Sequence, residues 1–382
     1  MEYRTLGRTG LSVSEVGLGC EFLQGKSYDV VKAAIDEAFA NDINIFDVFM
    51  SEPQVRSDIG KAMKGRRDKA IIQGHIGSIW KDGQYGRSRD LNDVKQAFDD
   101  LLNRLGTDYI DIGMIHFVDT DEDCDTVFGD EFFGYVKELK SKGIIKHIGL
   151  SSHIAGVAKK AVDTGLVDVL MFSINPVFDL APSGLKFEDM WAGPEKNTRV
   201  EFNSERMDLY RTCEKHGTAI TVMKTYMAGR LLDASKSPFE TALTTTQCIH
   251  FALTRPSVVS TLIGCVTPDD VRQAVSYEDA NEAERDFSDI LIKNSFKADG
   301  HCVYCNHCLP CPARIDIAAV NKYLDLAESA DEVAESVSAH YNDLQANAGD
   351  CTACGTCESR CPFDVPVVKR MKKAVKVFGN LI

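Results

Sequence analysis

Residues 109–116 read YIDIGMIH, an almost continuous apolar run that ends in a histidine. Residues 145–153, IKHIGLSSH, repeat this pattern one unit later, and residues 43–47, INIFD, show it two units earlier. Strands buried on both faces of a parallel sheet have this composition. Helical segments alternate with such strands in eight units of roughly 30 residues across residues 1–280. The pattern therefore predicts an α/β fold, a closed (β/α)8 TIM barrel that begins with a short hairpin at residues 2–11.

Polar residues stand at or just beyond the ends of the predicted strands. The active site of a (β/α)8 barrel lies at the carboxyl ends of its strands. We therefore expect the site among nine residues, namely Asp47, His75, His116, Ser151, Ser152, His153, Asn175, Lys224 and Gly264.

Eight of the 13 cysteines lie in two runs near the end of the chain. Residues 302–311 have the spacing C-x2-C-x2-C-x2-C and residues 351–361 the spacing C-x2-C-x2-C-x3-C, each followed by proline. Three closely spaced thiolates completed by a remote Cys-Pro are typical of [4Fe-4S] clusters. Tetrahedral zinc would leave a third thiolate in each run unused, and disulfides are not expected without a secretory signal. The spacing predicts two [4Fe-4S] clusters.

This cysteine-rich segment resembles a bacterial two-cluster ferredoxin. The resemblance implies an α+β ferredoxin-like domain at residues 299–382, and an amphipathic pattern before it predicts a connecting helix at residues 281–298. In two-cluster ferredoxins the remote cysteine ligates the other cluster. One cluster would then be held by Cys302, Cys305, Cys308 and Cys361, and the other by Cys351, Cys354, Cys357 and Cys311.

The composition limits the partners. The net charge of -14 argues against nucleic acid or an anionic membrane surface. There is no run of 18 apolar residues, and the first residues do not form a signal peptide, so we expect a cytoplasmic protein. Exposed cluster sulfurs would suit an anaerobe. A redox partner protein and a small-molecule substrate are expected, and the oligomeric state stays open.

The barrel resembles the aldo/keto reductase family. The residues that show this are YRTLGRTGLSVSEVGLG at the start, INIFD at strand two and KGRRDK before strand three. The segments LGTDYIDIGMIH, HIGLSSH, MK…AGRLL and IGCVTPDDV continue the likeness in the same order. With the cysteine-rich module, the chain is similar to a known subgroup of that family.

The resemblance implies hydride exchange between a nicotinamide and a carbonyl, at a site built from Asp, Tyr, Lys and His. Asp47 matches the aspartate and His116 the histidine. His75 stands at the lysine position, and residues 48–54, VFMSEPQ, contain no tyrosine at the place of the family's acid. The site is therefore expected to be atypical, because the proton donor and the lysine that lowers its pKa are both missing.

Three replacements for the missing acid remain open. His75 or His116 could donate the proton, since histidine titrates near neutrality. Tyr85, after strand three, or Tyr226, after strand seven, could enter the site. The clusters could also replace part of the hydride chemistry with single electrons.

A nicotinamide cofactor is also left open. In the family, loops after strands seven and eight hold its phosphates at helix N-termini. Asp269 and Asp270 would repel a phosphate there. The basic residue that the family uses for a 2′-phosphate is not evident in residues 264–270, so NAD(H) is favoured, while Arg272 keeps NADP(H) open; no flavin motif is evident. The expected cofactor-binding residues are Ser151, Ser152, Asn175, Lys224, Gly229, Arg230, Gly264 and Thr267.

Two functions follow from these observations. The first is an iron–sulfur oxidoreductase of aldo/keto reductase type, acting on a small carbonyl or alcohol with Asp47, His75, His116 and Tyr85 at its site. The alternative is an electron-transfer or scaffold protein whose barrel has lost its chemistry. A metal ion or a dehydration reaction at the histidines is a variant of the first.

Overall fold

The computed structural model describes residues 1–193, 200–294, 296, 300–330 and 332–379. Eight parallel strands close into a barrel, which confirms the predicted fold. Two further pairs of strands form antiparallel hairpins. The strands in chain order are β1 Tyr3–Thr5, β2 Ser12–Ser14, β3 Val16–Gly19, β4 Ile45–Val48, β5 Ile71–Ile76, β6 Ser78–Lys81, β7 Gln84–Arg87, β8 Ile110–Ile115, β9 Ile145–Ser152, β10 Val169–Ser173, β11 Ala219–Met223 and β12 Val258–Gly264.

The helices lie between and after these strands. Those up to α10 lie between the barrel strands or directly after the last one, and the others follow residue 281. They are α1 Tyr28–Ala40, α2 Pro53–Ala62, α3 Leu91–Leu105, α4 Asp121–Val127, α5 Asp130–Ser141, α6 Ala155–Asp163, α7 Pro176–Leu180, α8 Ser204–His216, α9 Thr245–Leu253, α10 Pro268–Val275, α11 Glu282–Arg285, α12 Ser288–Lys293, α13 Ile317–Glu328, α14 Glu335–Asn342, α15 Thr356–Arg360 and α16 Val367–Phe378. Within the described residues, no helix is both long and apolar enough to cross a membrane.

The chain forms two compact units. The first contains Met1–Ile174, His216–Thr225 and Ser257–Glu278, and so holds all eight barrel strands. The second contains Asn175–Lys215, Tyr226–Pro256 and Asp279–Ile382. These units differ from the division at residue 280 that the sequence suggested.

Hydrogen bonds inside the second unit explain why its segments group together. The hydroxyl of Ser336 donates to the carbonyl of Glu214 over 3.1 Å. The guanidinium of Arg255 donates to the carbonyl of Val303 over 3.1 Å. Segments that follow β10 and β11 in the chain therefore pack with the C-terminal region.

In the first unit, apolar side chains fill the N-terminal end of the barrel. Leu6 and Val13 of the opening hairpin are fully buried against Ile45, Val169 and Ala219, which begin β4, β10 and β11. The hairpin thus closes one end of the barrel with hydrophobic contacts. It extends to Ser14, slightly beyond the predicted residues 2–11.

Local sequence fixes both ends of helix α3, which follows the β6–β7 hairpin. The carboxylate of Asp90 accepts bonds from the backbone N–H groups of Asn92 and Asp93, which caps the helix just after β7. Gly106 ends the helix with a φ of 65°, a left-handed conformation that glycine adopts without strain. The ends of the α3 segment are therefore fixed by these two residues.

Two predictions about the end of the chain are wrong. The connecting helix at 281–298 is two short helices, α11 and α12, because Asp286 is extended and its carboxylate accepts from the backbone of Ser288 to start α12. The α+β prediction also fails, since the described part of residues 300–379 contains helices and loops but no strand. The cysteine loops there lack the backbone pairing that a sheet requires.

Candidate active site

Four side chains in the first unit form a continuous line of hydrogen bonds at the carboxyl end of the barrel. Asp47 Oδ1 lies 2.9 Å from His75 Nε2, and His75 Nδ1 lies 2.8 Å from His116 Nδ1. His116 Nε2 in turn lies 2.6 Å from the hydroxyl of Tyr85. Asp47, His75 and His116 are at most 4% exposed, and Tyr85 is 41% exposed. We call these four residues the proton wire.

Strand register places the buried members of the wire together. Asp47 pairs with Gln73 across β4 and β5. His75 lies two residues after Gln73 on β5 and therefore on the same face of the strand. His116 follows β8 directly, and its backbone N–H donates to the carbonyl of Ile76 over 3.0 Å. The three groups therefore meet because neighbouring parallel strands end at the same level.

Tyr85 reaches the wire on a hairpin that the sequence suggested only as a loop. Strands β6 and β7 are joined by Asp82 and Gly83, which have φ angles of 53° and 76°. An Asp-Gly pair with two positive φ angles is the usual two-residue hairpin turn. The hairpin directs the phenol of Tyr85 to His116. Tyr85, one of the residues that the sequence suggested in place of the missing acid, therefore lies within hydrogen-bonding distance of the site.

Residues that the sequence did not single out support the wire. The amide of Gln73 donates to Asp47 Oδ1 over 3.0 Å. The ring of Phe49 stacks on His116 with a centroid distance of 5.6 Å. Arg89 pairs with Asp123 and donates to the carbonyl of His116 over 2.7 Å. Gln73 could have been found from its position two residues before His75 on one strand, whereas Arg89 has no local signal.

Burial and nearby charges set the protonation of the outer two groups. Burial, followed by the charges of His75 and Arg89, lowers the pKa of His116 well below its usual value. Burial raises the pKa of Tyr85, although Arg87 opposes this shift. Both groups are therefore neutral near pH 7.

The hydrogen bonds have one consistent direction when both imidazoles are neutral. A carboxylate only accepts, so His75 donates through Nε2 to Asp47 and must accept at Nδ1. His116 then donates through Nδ1 and accepts at Nε2, which requires Tyr85 to donate its O–H. A neutral wire thus points from the exposed phenol towards the buried carboxylate.

His153 belongs to a separate pair. Its Nδ1 lies 2.9 Å from Asp119 Oδ2, and its ring packs on Phe117 at 5.0 Å. Burial alone would raise the pKa of Asp119, but the hydrogen bonds from His153 and Ser152 lower it overall. Among the described side chains, no three histidine, cysteine or acidic groups converge on a point that could hold a metal ion. The metal variant gains no support from this arrangement.

The expected cofactor-binding residues of the first unit make bonds within the protein. Ser151 Oγ accepts from the backbone N–H of Phe117 over 2.8 Å. The backbone N–H groups of Val266 and Thr267 donate to Asp270 Oδ2 over 3.0 and 2.8 Å. A phosphate on this loop would have to displace that carboxylate, so these donors do not fit one. Three other predicted residues lie in this unit. The hydroxyl of Ser152 donates to Asp119. Lys224 has a φ of 60°, and the ring of Phe22 lies against Gly264.

The remaining cofactor candidates lie in the second unit. Asn175 caps α7 by accepting from the backbone N–H of Phe178 over 3.0 Å. Gly229 has a φ of 82°, and Arg230 donates to the carbonyl of Trp191 over 3.1 Å. All eight assignments to a nicotinamide remain predictions.

The cysteines of the second unit line two cavities. Cys302, Cys305, Cys308 and Cys361 line one of them. Cys311, Cys351, Cys354 and Cys357 line the other, together with Cys308. A cubane cluster binds each thiolate to a different iron, so its ligands surround a volume and need not converge on one ion. Apart from Cys308, which lines both cavities, the two groups match the ligand sets that the resemblance to ferredoxins implied, and those sets remain predictions.

A buried arginine beside the first cavity fits an anionic group. Arg255 is 1% exposed, and its guanidinium lies 4.5 Å from the ring centroid of Phe251 and 5.5 Å from that of Tyr304. Its Nε and Nη1 have no hydrogen-bond partner among the described residues, and it forms no ion pair with a described carboxylate. A buried cation usually has a counter-charge. Four thiolates around a [4Fe-4S] cluster would supply it.

The fold and the line of hydrogen-bonded side chains define a TIM-barrel protein with a polar site at the carboxyl ends of its strands, and comparisons assign the family. The aldo/keto reductase family model matches residues 16–243. The chain belongs to the aldo/keto reductase family, a family of oxidoreductases, as the sequence motifs predicted. The match does not extend into the cysteine-rich region.

Individual relatives agree with this assignment. The uncharacterized oxidoreductase YqkF of Bacillus subtilis (strain 168) is 32% identical over 186 residues, covering 48% of this chain and 58% of that protein. Aldo-keto reductase YhdN of the same organism is 28% identical over 193 residues, covering 47% and 54%. The chain thus spans little more than half the length of these relatives. The holo form of aldo-keto reductase AKR11C1 from Bacillus halodurans shares the fold, with a TM-score of 0.60 and 23% identity over 77% of this chain and 96% of that one.

Proposed function

We propose that the protein is an iron–sulfur oxidoreductase that interconverts a small carbonyl compound and its alcohol, with Tyr85 exchanging a proton with the substrate oxygen. The observation that carries this proposal is the unbroken line of hydrogen bonds from Asp47 through two histidines to Tyr85. Of these four residues only Tyr85 is substantially exposed, at 41%. A decayed site would have no reason to keep four titratable groups in contact.

The reduction direction begins with one extra proton on the wire. On His75 that proton is stabilised by the carboxylate of Asp47, 2.9 Å away. Both ring nitrogens of His75 then donate, so His116 accepts at Nδ1 and donates from Nε2 to the phenol oxygen. The O–H of Tyr85 is thereby released from His116 and can donate to a carbonyl oxygen.

Proton transfer to the substrate restores the neutral wire. Tyr85 gives its proton to the substrate oxygen, His116 replaces it from Nε2, and His75 passes its Nδ1 proton to His116. No charge is left on the buried imidazole of His116, in accord with its lowered pKa. The reverse sequence accepts the hydroxyl proton of an alcohol.

His75 thus replaces the family's lysine by a different route. A lysine would stabilise a tyrosinate by charge, whereas a histidine between a carboxylate and a second histidine can also relay the proton. The relay explains why the proton donor can sit on the β6–β7 hairpin and not after β4.

The two sets of four cysteines would hold two [4Fe-4S] clusters. Such clusters supply or accept single electrons when bound. Arg255 would offset the negative charge of the cluster held by Cys302, Cys305, Cys308 and Cys361. Reducing a carbonyl takes two electrons and two protons, of which the wire supplies the proton on oxygen. Two cluster electrons used in succession and a proton from water on the carbon would complete the reaction, as would hydride from a nicotinamide, although Asp270 already satisfies the backbone donors of one expected phosphate site.

The test is an anaerobic assay with reconstituted protein. Reduced methyl viologen serves as the electron donor, a panel of small aldehydes and ketones as acceptors, and NADH and NADPH as alternative donors. We expect carbonyl-dependent oxidation of the viologen, and about eight irons per chain, falling by half in Cys357→Ala. Reduction of the clusters without turnover of any carbonyl or alcohol would instead favour the electron carrier. An iron-free protein that retains activity would refute the role of the clusters.

A further inference from the structure

Helix α16 places a row of lysines on one exposed face. Its buried face consists of Val367, Met371, Ala374 and Phe378. At 3.6 residues per turn, the lysines fall on the opposite side within an arc of about 100°. They are Lys369, Lys372, Lys373 and Lys376, and all four are exposed.

This concentration of positive charge is unusual for the chain. Residues 351–382 contain six basic and two acidic side chains, although the whole chain has a net charge of -14. Like charges three and four residues apart destabilise a helix. Lys373 is paired with Glu328, whereas Lys369 and Lys372 have no ion pair with any described residue. An ordinary solvent-exposed helix face carries both acidic and basic side chains. Solvation alone therefore does not explain this row of lysines.

The same helix forms a wall of a cysteine-lined cavity. Val367, Val368 and Met371 line that cavity together with Cys351 and Cys354. Cys354 is exposed, which brings this cavity to the protein surface. Lys369 and Lys372 directly follow two of the wall residues in sequence. The basic face therefore begins beside the most accessible of the eight cysteines.

We propose that this lysine face of α16 is the docking surface for an acidic one-electron carrier protein of the ferredoxin or flavodoxin type. The inference rests on the proposed cluster in the adjoining cavity. Complementary charge steers a small carrier to its site and raises the association rate. The net charge of -14 disfavours an extended anionic surface, such as a membrane or nucleic acid, as the partner. A small acidic protein can contact the lysine face alone.

The test measures electron transfer from a reduced plant-type [2Fe-2S] ferredoxin to the reconstituted protein by anaerobic stopped flow. The variant is Lys369→Glu/Lys372→Glu. The matched control is Lys64→Glu/Lys69→Glu, which reverses two exposed lysines before β5. We expect the second-order rate of the variant to fall at least tenfold at low salt and to lose its decrease with ionic strength. The control should match the parent protein.

Separate measurements distinguish the two levels of the proposal. Iron content and reduction by dithionite report whether the clusters are present, independently of docking. An iron-loaded protein that ferredoxin does not reduce, or reduces equally fast in the parent and in the variant, would overturn the docking surface. Lysine-dependent binding to phosphatidylserine vesicles, with unchanged electron transfer, would overturn it as well. Absence of iron would refute the cluster assignment.

Discussion

Replacing Tyr85 by phenylalanine removes one hydroxyl from the proton wire. The loss deletes a 2.6 Å hydrogen bond and leaves His116 Nε2, on a side chain that is 4% exposed, without its donor. An unmet buried acceptor costs about 1–3 kcal/mol. Tyr85 is 41% exposed, so water can approach and the cost should lie near about 1 kcal/mol.

The effect on catalysis should be larger than the effect on stability. Loss of a general acid lowers a rate by about 10²–10⁴, equivalent to about 3–5 kcal/mol in the barrier. The assay is viologen-linked carbonyl reduction, compared with thermal unfolding of the same samples. We expect Tyr85→Phe to fold normally and to lose at least about 99% of the rate.

A matched variant separates the wire from a general effect of losing a phenol. Tyr3 is 44% exposed and donates to the carbonyl of Asp42 over 2.7 Å, before β4 at the opposite end of the barrel. Tyr3→Phe loses a comparable hydrogen bond and should keep the full rate. If Tyr85→Phe kept more than about a tenth of the parent rate, Tyr85 would not be the proton donor.

Other predictions concern the wire, the pH dependence and the second unit. His75→Gln keeps a donor for the carboxylate but cannot relay a proton, so its rate should fall about as far as that of Tyr85→Phe. A rate equal to that of the parent protein would exclude a relay. Burial lowers the pKa of His116, so below about pH 6.5 the unfolded chain binds more protons and stability falls as pH falls, by up to about 1.4 kcal/mol per pH unit. The melting temperature of the parent should therefore drop more between pH 6.5 and 5.5 than that of His116→Asn. An equal drop in both proteins would contradict the lowered pKa of His116. Arg206→Met leaves Asp179, which is 0% exposed, without the cation 2.7 Å away, and should cost about 3–5 kcal/mol in thermal or denaturant unfolding.

The sequence indicated the barrel and three members of the wire. Asp47, His75 and His116 follow apolar runs, and parallel strands bring such positions to one rim. Tyr85 could be offered only as one of two tyrosines, because its position depends on a hairpin whose Asp-Gly turn stood in an apparently irregular loop. The contacts from Arg89 depend on tertiary packing and left no periodic signal.

The end of the chain was less predictable. The cysteine spacing indicated which three cysteines of each run share a cavity, since close spacing keeps them on one loop, and the resemblance to ferredoxins implied the fourth. The expected continuous helix is interrupted at Asp286, where the backbone is extended and the carboxylate accepts from the backbone N–H of Ser288, so a local side-chain hydrogen bond competes with helical periodicity. The described residues after 300 contain helices and no strand, and the helices pack through contacts such as the stacked rings of Tyr341 and Phe378, 3.9 Å apart.

Nitrogen NMR of selectively labelled histidines reports the direction of the proton wire. With both imidazoles neutral, we expect a proton on Nε2 of His75 and on Nδ1 of His116. A neutral His75 protonated on Nδ1, or a neutral His116 protonated on Nε2, would show that the hydrogen bonds do not run from Tyr85 to Asp47.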